Sequence, residues 1–292
     1  MNDYLQSILG GLADGCVYAL IALGMSVIYS ISRIISLAQG GFVVLAALTA
    51  VSLQSSLGIS PLATLPIVVV IFSVGMVGVA QVIIQPAAKR ATPERLLLVT
   101  VGMLQAVGGL LLLVWGNLPY TMPAFTGDAP IKVVGLSLPT QYFWLAGALI
   151  MSVAALWLLL TRTELGLAMR ATASNPGAAA LQGIRVERMR LVAFALAGAM
   201  AALAGVTIVP ITFLQFTTVT PYAVAGFIAA VVGGLGSNLG AVTGGLLLGL
   251  LQGIFGRYWN ADLAQLTAIA LLVAVLVVRP QGIFGTPERV RR

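Results

Sequence analysis

Histidine is absent from the 292 residues, and cysteine occurs once, as Cys16. The chain therefore forms no internal disulfide, holds no histidine- or thiolate-ligated metal cluster and cannot use imidazole as an acid or a base. Charged residues make up only 8% of the sequence, against about 25% in soluble domains. Because 60% of the residues are hydrophobic, the composition excludes a water-soluble globule and indicates a protein solvated mainly by lipid.

Charge-free runs limit the number of membrane crossings. The run 191–256 can hold three crossings, or two crossings plus broken half-helices. The other runs are 5–31, interrupted only by Asp14, then 34–88, 96–127, 133–161 and 263–278. Since a helix needs about 20 apolar residues to cross a bilayer, we expect an all-α polytopic membrane protein of about eight to nine transmembrane helices including broken half-helices. We expect residues 1–292 to form a single transmembrane domain.

Basic residues indicate how the helices are oriented. If successive runs alternate sides, all Lys and Arg residues except Lys132 and Arg257 fall on one face. Cytoplasmic loops retain Lys and Arg, so we expect a bacterial plasma (inner) membrane protein with its N-terminus outside and its C-terminus cytoplasmic. No basic residue precedes Arg33, so the first helix is expected to remain in the mature protein. The net charge of +7 is therefore explained by Lys and Arg in the loops on one side of the membrane, and no nucleic-acid partner is expected.

Glycines repeat every four residues near the end of the run 191–256. Four-residue spacing places residues on one helix face, and smooth faces let helices approach closely in lipid. We expect these stripes to pack within the helix bundle, unless one of them also meets a second subunit. The stripes are Gly236, Gly240 and Gly244, and then Gly245, Gly249 and Gly253.

Two polar segments with paired glycines predict breaks in the helices, at residues 35–42 and 233–240. Non-helical backbone at membrane depth must be shielded by protein or line a wet cavity, and matching breaks in two halves are typical of inverted-repeat transporters. The polar side chains there either satisfy freed backbone groups or line the translocation pathway. They are Ser36, Gln39, Ser237 and Asn238.

The chain lacks an energy source of its own. Asp14 is the one ionisable residue inside a predicted crossing, so the usual acidic relays of ion-coupled carriers are missing. Asp14 lies near the outer end of its helix, as a structural partner, an outer-mouth group or a substrate contact. Neither Lys89 nor Lys132 follows a glycine, which excludes a phosphate-binding loop. The sequence also lacks the paired acids or nucleophile with a base that an intramembrane enzyme needs.

The longest polar stretch, 162–190, predicts a cytoplasmic coupling loop with a short helix over 177–182. Asn175 is a good N-cap, Pro176 suits the first helical position, and Gly183 can end the helix in left-handed geometry. So short a helix is marginal alone, so we expect it to insert into a partner's groove, unless the loop simply caps its own helices. Its exposed apolar residues are expected to be Ala178, Ala179, Leu181 and Ile184.

Residues 116–140 contain Pro119, Pro123, Pro130 and Pro139, and they predict an extracytoplasmic cap. This cap is either a plain connector or a contact site for an extracytoplasmic protein.

Motifs spread over nearly the whole chain carry a family resemblance. They are YALIALGM (18–25), NPGAAALQGI (175–184), FALAGAMAALAG (194–205), AAVVGGLGS (229–237) and RPQGIFG (279–285). Together they resemble branched-chain amino acid ABC transporter permeases of the LivH type. The resemblance implies the multi-helix fold shared by vitamin B12- and ribose-type importer permeases. It also implies a second permease subunit, LivM-like or a copy of this chain, two ATPases, LivF-like and LivG-like, and an extracytoplasmic solute-binding protein. ATP would be bound by the partner subunits, and this chain would hold no cofactor.

We therefore expect the chain to form half of the translocation pathway of an ATP-driven importer. The solute would be a branched-chain amino acid or a related small polar molecule such as an amide or urea. At 36–42, SLAQGGF lacks the histidine and the acid that the family often has, which leaves the solute open. The alternative is a stand-alone passive facilitator or channel. The residues expected to couple to the ATPases are Asn175, Pro176, Ala178, Ala179, Leu181, Gly183 and Ile184.

Overall fold

The structure is a computed structural model that describes residues 2–88, 92–127, 131–133, 136–258 and 261–285. Its helices are α1 (Asn2–Ser32), α2 (Ala38–Leu57), α3 (Pro61–Val79), α4 (Gln85–Ala88), α5 (Pro93–Trp115), α6 (Gln141–Arg162), α7 (Glu164–Ser174), α8 (Pro176–Leu181), α9 (Val186–Ile208), α10 (Val219–Gly233), α11 (Asn238–Tyr258) and α12 (Ala261–Val278). A π-helical turn (Ala80–Ile84) joins α3 to α4, and a 3-10 turn (Phe216–Thr218) precedes α10. Strands β1 (Ile131–Val133) and β2 (Leu136–Leu138) pair antiparallel. Residues 128–130 and 134–135 of the predicted cap, and the basic residues Lys89, Arg90, Arg289, Arg291 and Arg292, lie outside the described residues.

The described residues include eight helices that are long and apolar enough to cross a membrane. The run 191–256 supplies three of them, in α9, α10 with its preceding turn, and α11, and α12 adds a shorter apolar helix over Leu266–Val278. The expected all-α polytopic fold is therefore confirmed.

Helices α1 and α9 form the centre of the bundle. Helix α1 packs against α9, α10 and α11, while α9 also packs against α2 and α3. The peripheral helices α3, α5 and α6 instead present large apolar side chains outward, such as Val74 at 67%, Leu113 at 86% and Ile150 at 68% exposure. Their outward faces are suited to lipid, since hydrocarbon solvates such side chains without penalty.

Helix α11 packs on α1 through its second glycine stripe. The two helices run antiparallel, and a Cβ added to any stripe glycine would overlap backbone atoms of α1. The facing pairs are Gly245 with Ala19, Gly249 with Gly15, and Gly253 with Gly11. Backbone contact this close is possible only because neither helix carries a large side chain at these points.

The first stripe faces another helix and is shorter than predicted. Gly240 and Gly244 pack against Gly233 and Ala229 of α10. Gly236 does not belong to this helix face, because it precedes α11 and has a φ of 87°. Placing Gly236 on the stripe was wrong, since its left-handed backbone forms the turn between α10 and α11.

Both predicted breaks lie at the same end of the bundle. Ser30 and Ile31, just before the first break, line one cavity together with Gly236 and Asn238 of the second. An inverted repeat would place equivalent breaks on opposite sides of the membrane. The two segments are therefore not the matching breaks of an inverted repeat, and they are connections between helices that turn at one end of the bundle.

Basic residues gather at this end, which we call the basic end. The Arg33 guanidinium lies 5.6 Å from the Tyr29 ring centroid. Arg170 lines the same cavity as Ser30. Arg279 accepts a backbone hydrogen bond from Gly282 of 2.9 Å, and Gly282 packs against Gly234.

The opposite end, which we call the cap end, is covered by residues 116–127. Tyr120 and Leu214 exchange two backbone hydrogen bonds of 2.9 Å, and the Thr121 hydroxyl donates to the Val209 carbonyl at 3.0 Å. The Gln141 amide, at the start of α6, donates to the Thr207 carbonyl at 2.8 Å. These bonds fasten the cap to the end of α9 and to the segment that follows it.

Candidate coupling segment and solute pathway

Helix α7 forms the base of the predicted coupling segment at the basic end. The Thr163 hydroxyl accepts a hydrogen bond from the Gly166 N–H at 3.0 Å and caps the helix. A side chain at Gly166 would overlap the backbone at Leu159, so α7 folds back tightly onto α6. Met169 and Thr172, on α7 itself, are buried. The segment that carries α8 is therefore anchored to the membrane-spanning bundle.

Helix α8 has caps at both ends. The Asn175 Oδ1 accepts from the Ala178 N–H at 3.1 Å, with Pro176 in the first turn. Gly183, with a φ of 82°, donates to the Ala180 carbonyl at 3.0 Å, and Ile184 donates to the Ala179 carbonyl at 3.1 Å. These two bonds form a Schellman motif. The helix spans Pro176–Leu181, one residue earlier at each end than predicted.

The outer face of α8 is apolar and open. Leu181 is 90% exposed, Ala178 is exposed one turn before it, and Ile184 is half-buried. Ala179 is only 3% exposed, so the expectation that it faces outward was wrong. It lies on the side of α8 that packs against α7 and α9.

Cationic side chains follow this apolar face directly. Arg185 and Arg188 are both exposed at the start of α9. We call Ala178, Leu181, Arg185 and Arg188 the coupling surface. A protein groove that fits it would have an apolar floor for Leu181 and acidic residues at its rim.

Replacing Asn175 by alanine is expected to loosen α8 without unfolding the chain. The loss of an N-cap costs about 1 kcal/mol, which is large for a helix of one and a half turns. Amide hydrogen exchange of residues 178–184 should accelerate, while exchange in α9 stays unchanged. Asn175→Ser, which keeps a capping oxygen, is the matched control, and equal exchange in both variants would contradict the capping role.

The first polar pair lies in the interior of the bundle. Ser36 and Gln39 are 2% and 0% exposed. The Gln39 amide donates to the Ala197 carbonyl in α9 at 2.7 Å, and a side chain at Gly24 in α1 would collide with that amide. Gln39 therefore links α1, α2 and α9 rather than facing an open cavity.

Of the second polar pair, one residue caps a helix and the other faces a cavity. The Ser237 hydroxyl accepts from the Gly240 N–H at 3.1 Å at the start of α11. Asn238 lines a cavity of about 180 Å³ at the basic end together with Ser30 and Arg170. The turn between α10 and α11 is covered on its other side by Ile283 and Phe284, whose backbone N–H groups donate hydrogen bonds of 2.9 Å to the Val232 and Gly233 carbonyls.

An amide that sequence reasoning passed over faces outward at mid-membrane. Gln105 lies halfway along α5 and is exposed. With Thr217 and Thr220 it lines an open cavity of about 300 Å³. An amide facing hydrocarbon would lose its hydrogen bonds to water. The sequence feature that could have identified Gln105 is its amide, which lies close to Gly102, Gly108 and Gly109 in an otherwise apolar run.

A third cavity, of about 310 Å³, opens between α1, α10, α11 and α12. Its polar lining includes Tyr18, Thr212, Tyr222 and Gln252. We call it the tyrosine cavity. Helix α1 is far in sequence from the three consecutive helices that complete the cavity, so no local motif predicts it.

Comparison with known proteins agrees with this architecture. Residues 7–276 match the family described as branched-chain amino acid transport system / permease component. The chain is 29% identical to the Escherichia coli high-affinity branched-chain amino acid transport system permease protein LivH, over 98% of this chain and 96% of the relative. It is 28% identical to the probable branched-chain amino acid transport permease protein LivH of Methanocaldococcus jannaschii, over 94% of this chain and 91% of the relative.

A more distant similarity covers about half of the chain. The autoinducer 2 import system permease protein LsrC of Escherichia coli is 33% identical over 47% of this chain and 46% of its own length. The relatives are permease proteins of transport systems, so the chain is a transport subunit and not an enzyme. With the family match extending from α1 into α12, this chain belongs to the permease components of branched-chain amino acid transport systems.

Proposed function

We propose that the chain is one of two permease subunits that form the translocation pathway of an ATP-driven importer for branched-chain amino acids. The LivH permeases align with nearly its whole length, whereas LsrC aligns with about half of it, which favours amino acids over other solutes. Amides and urea are the related solutes to test beside them. The observation that carries coupling to an ATPase is α8, capped at both ends with Leu181 90% exposed.

The proposed orientation places the basic end in the cytoplasm of a bacterium. If the charge-free runs of the sequence alternate sides, all of the 15 basic residues except Lys132 and Arg257 fall at the basic end. The positive-inside rule then puts α8 on the cytoplasmic face, with the N-terminus outside and the C-terminus inside if α12 also crosses. ATPases and their ATP are available on that side, which supports the assignment.

The proposed partners follow from the two ends of the bundle. Two ATPases, LivF-like and LivG-like, would bind ATP and receive the coupling surface of this chain and its counterpart on the second permease subunit. That subunit is LivM-like or a second copy. A solute-binding protein would dock at the cap end, where residues 116–127 are fastened to the chain's own backbone. Closure of the ATPases would move α8 and α7 as a lever, and the helix bundle would respond as rigid parts.

Reconstitution with the candidate partners tests this function. The proteoliposomes contain both permeases and both ATPases, and the binding protein is added on the side of the membrane opposite the ATPases. They are expected to concentrate radiolabelled leucine only when ATP is supplied. Liposomes with this chain alone should show no flux. Rapid equilibration of leucine by the chain alone, unaffected by ATP, would support the passive facilitator instead and overturn the importer assignment.

A further inference from the structure

Asp14 is an exposed carboxylate within a membrane-spanning helix. The span begins at Gln6 and ends at Ser32, which places Asp14 about 12 Å along the helix axis from its cap end. Among the side chains that the structure describes, no Lys or Arg forms an ion pair with it. A carboxylate at this depth is costly against lipid. The face of α1 that carries Asp14 therefore meets water or another protein rather than hydrocarbon.

A pair of tyrosine rings lies about one helical turn from this carboxylate. Tyr18 follows Asp14 by one helical turn, and its ring lies 6.3 Å from that of Tyr222, with the planes inclined at 55°. Because residues four apart lie on the same face of a helix, Asp14 is on the side of α1 that carries Tyr18. A carboxylate beside the electron-rich faces of tyrosine rings is an environment that attracts an organic ammonium group.

The tyrosine cavity extends from these rings and has two chemically distinct sides. Thr212, Thr218 and Gln252 supply hydroxyl and amide groups, while Val224, Ile228 and Ile269 supply aliphatic surface. Its volume of about 310 Å³ is at the lower end of the range for small-molecule sites. The cavity thus combines tyrosine rings, one of them a helical turn from the Asp14 carboxylate, with an apolar wall. This combination matches a molecule that has an ammonium group and a branched aliphatic side chain.

We infer that the tyrosine cavity is a binding site for the solute on its way in from the cap end. Asp14, Tyr18 and Tyr222 bind the ammonium group, and the Val224, Ile228 and Ile269 wall receives the aliphatic side chain. This inference rests on the proposed function for the identity of the solute. It goes beyond that function by naming the site and the group that the site recognises.

Thiol labelling tests the site independently of transport. Val224 lines the cavity and is 38% exposed, and Cys16 is the single cysteine, so Val224→Cys in a Cys16→Ala chain provides one reactive thiol. In the assembled transporter we expect a water-soluble thiol reagent to label it. Leucine and isopentylamine should slow the reaction, whereas 4-methylpentanoate, which lacks the ammonium group, should not. Adding Asp14→Asn should remove the protection while the thiol stays reactive.

The lipid-facing control is Ile150→Cys in the same Cys16→Ala chain. Ile150 is 68% exposed on α6, at a comparable distance from the cap end, and we expect it to resist the water-soluble reagent. A Val224→Cys thiol as unreactive as this control would overturn the inference, because the cavity would be closed to water. Equal protection by isopentylamine with and without Asp14→Asn would also overturn it.

Transport gives the second measurement. Asp14→Asn is expected to lower leucine uptake by about tenfold or more, since it removes a charge-assisted contact, and Asp14→Glu should restore most of the uptake. Copurification of the partner subunits shows whether either variant disturbs assembly. If the wild-type transporter takes up leucine and the Asp14→Asn variant takes it up equally well, the site is rejected but the importer assignment stays intact. Absence of wild-type leucine uptake would reject the importer assignment, while the labelling pattern would still decide whether the cavity binds an ammonium group.

Discussion

Replacing Leu181 by glutamate is expected to disconnect the permease from its ATPases. Leu181 is 90% exposed in the chain, so the substitution leaves the folded permease nearly unchanged. In the proposed complex it would put a charge on the apolar floor of the partner's groove. Loss of such an anchor costs about 2–4 kcal/mol, which weakens association by about 30- to 1,000-fold. Copurification of tagged ATPases and ATP-dependent leucine uptake should both be lost.

Two variants separate coupling from unspecific damage. Leu181→Met keeps an apolar side chain of similar volume and should retain assembly and uptake. Leu118→Glu places the same charge on a side chain that is 69% exposed at the cap end, so it should leave ATPase association intact. If Leu181→Glu still copurifies the ATPases at wild-type levels, α8 is not the coupling element.

Replacing Gly249 by leucine is expected to prevent α1 and α11 from packing. A Cβ at Gly249 would already overlap the backbone at Gly15 and the Gly11 carbonyl, and leucine adds three more carbon atoms. Forcing extra atoms into a packed interior costs about 1–3 kcal/mol or more, and backbone cannot move aside as a flexible side chain can. We expect the variant to be degraded in the membrane or to aggregate in detergent, as measured by fluorescence-detected size-exclusion chromatography.

Gly78→Leu is the matched control for this substitution. Gly78 is also a glycine within a helical span, but apart from its own helical turn no described atom lies within 4 Å of a Cβ placed there. Because the added side chain can extend outward, this variant should yield a normal amount of monodisperse protein. Similar losses for both variants would show that leucine is harmful by itself, and the α1–α11 contact would not explain the effect.

Local signals in the sequence predicted α8 well. Its boundaries depend on Asn175, Pro176 and Gly183, which act on backbone groups within a few residues of themselves. The same signals could not predict that Ala179 is buried, because its burial depends on how α8 leans on α7 and α9. Likewise, the polar character of Gln39 was evident, but its bond to Ala197 in α9 joins residues far apart in the chain.

Apolar runs and scarce charges act along the chain on the scale of one bilayer crossing, so they were enough to predict the lipid environment, the helices and their order. The tertiary structure was needed to show that both polar breaks lie at one end, that the glycine stripes face α1 and α10, and that Tyr18, one turn from Asp14, lines a cavity. Each of these depends on which helices become neighbours. In lipid that choice rests on the fit between small faces from distant parts of the chain, and no single segment records it.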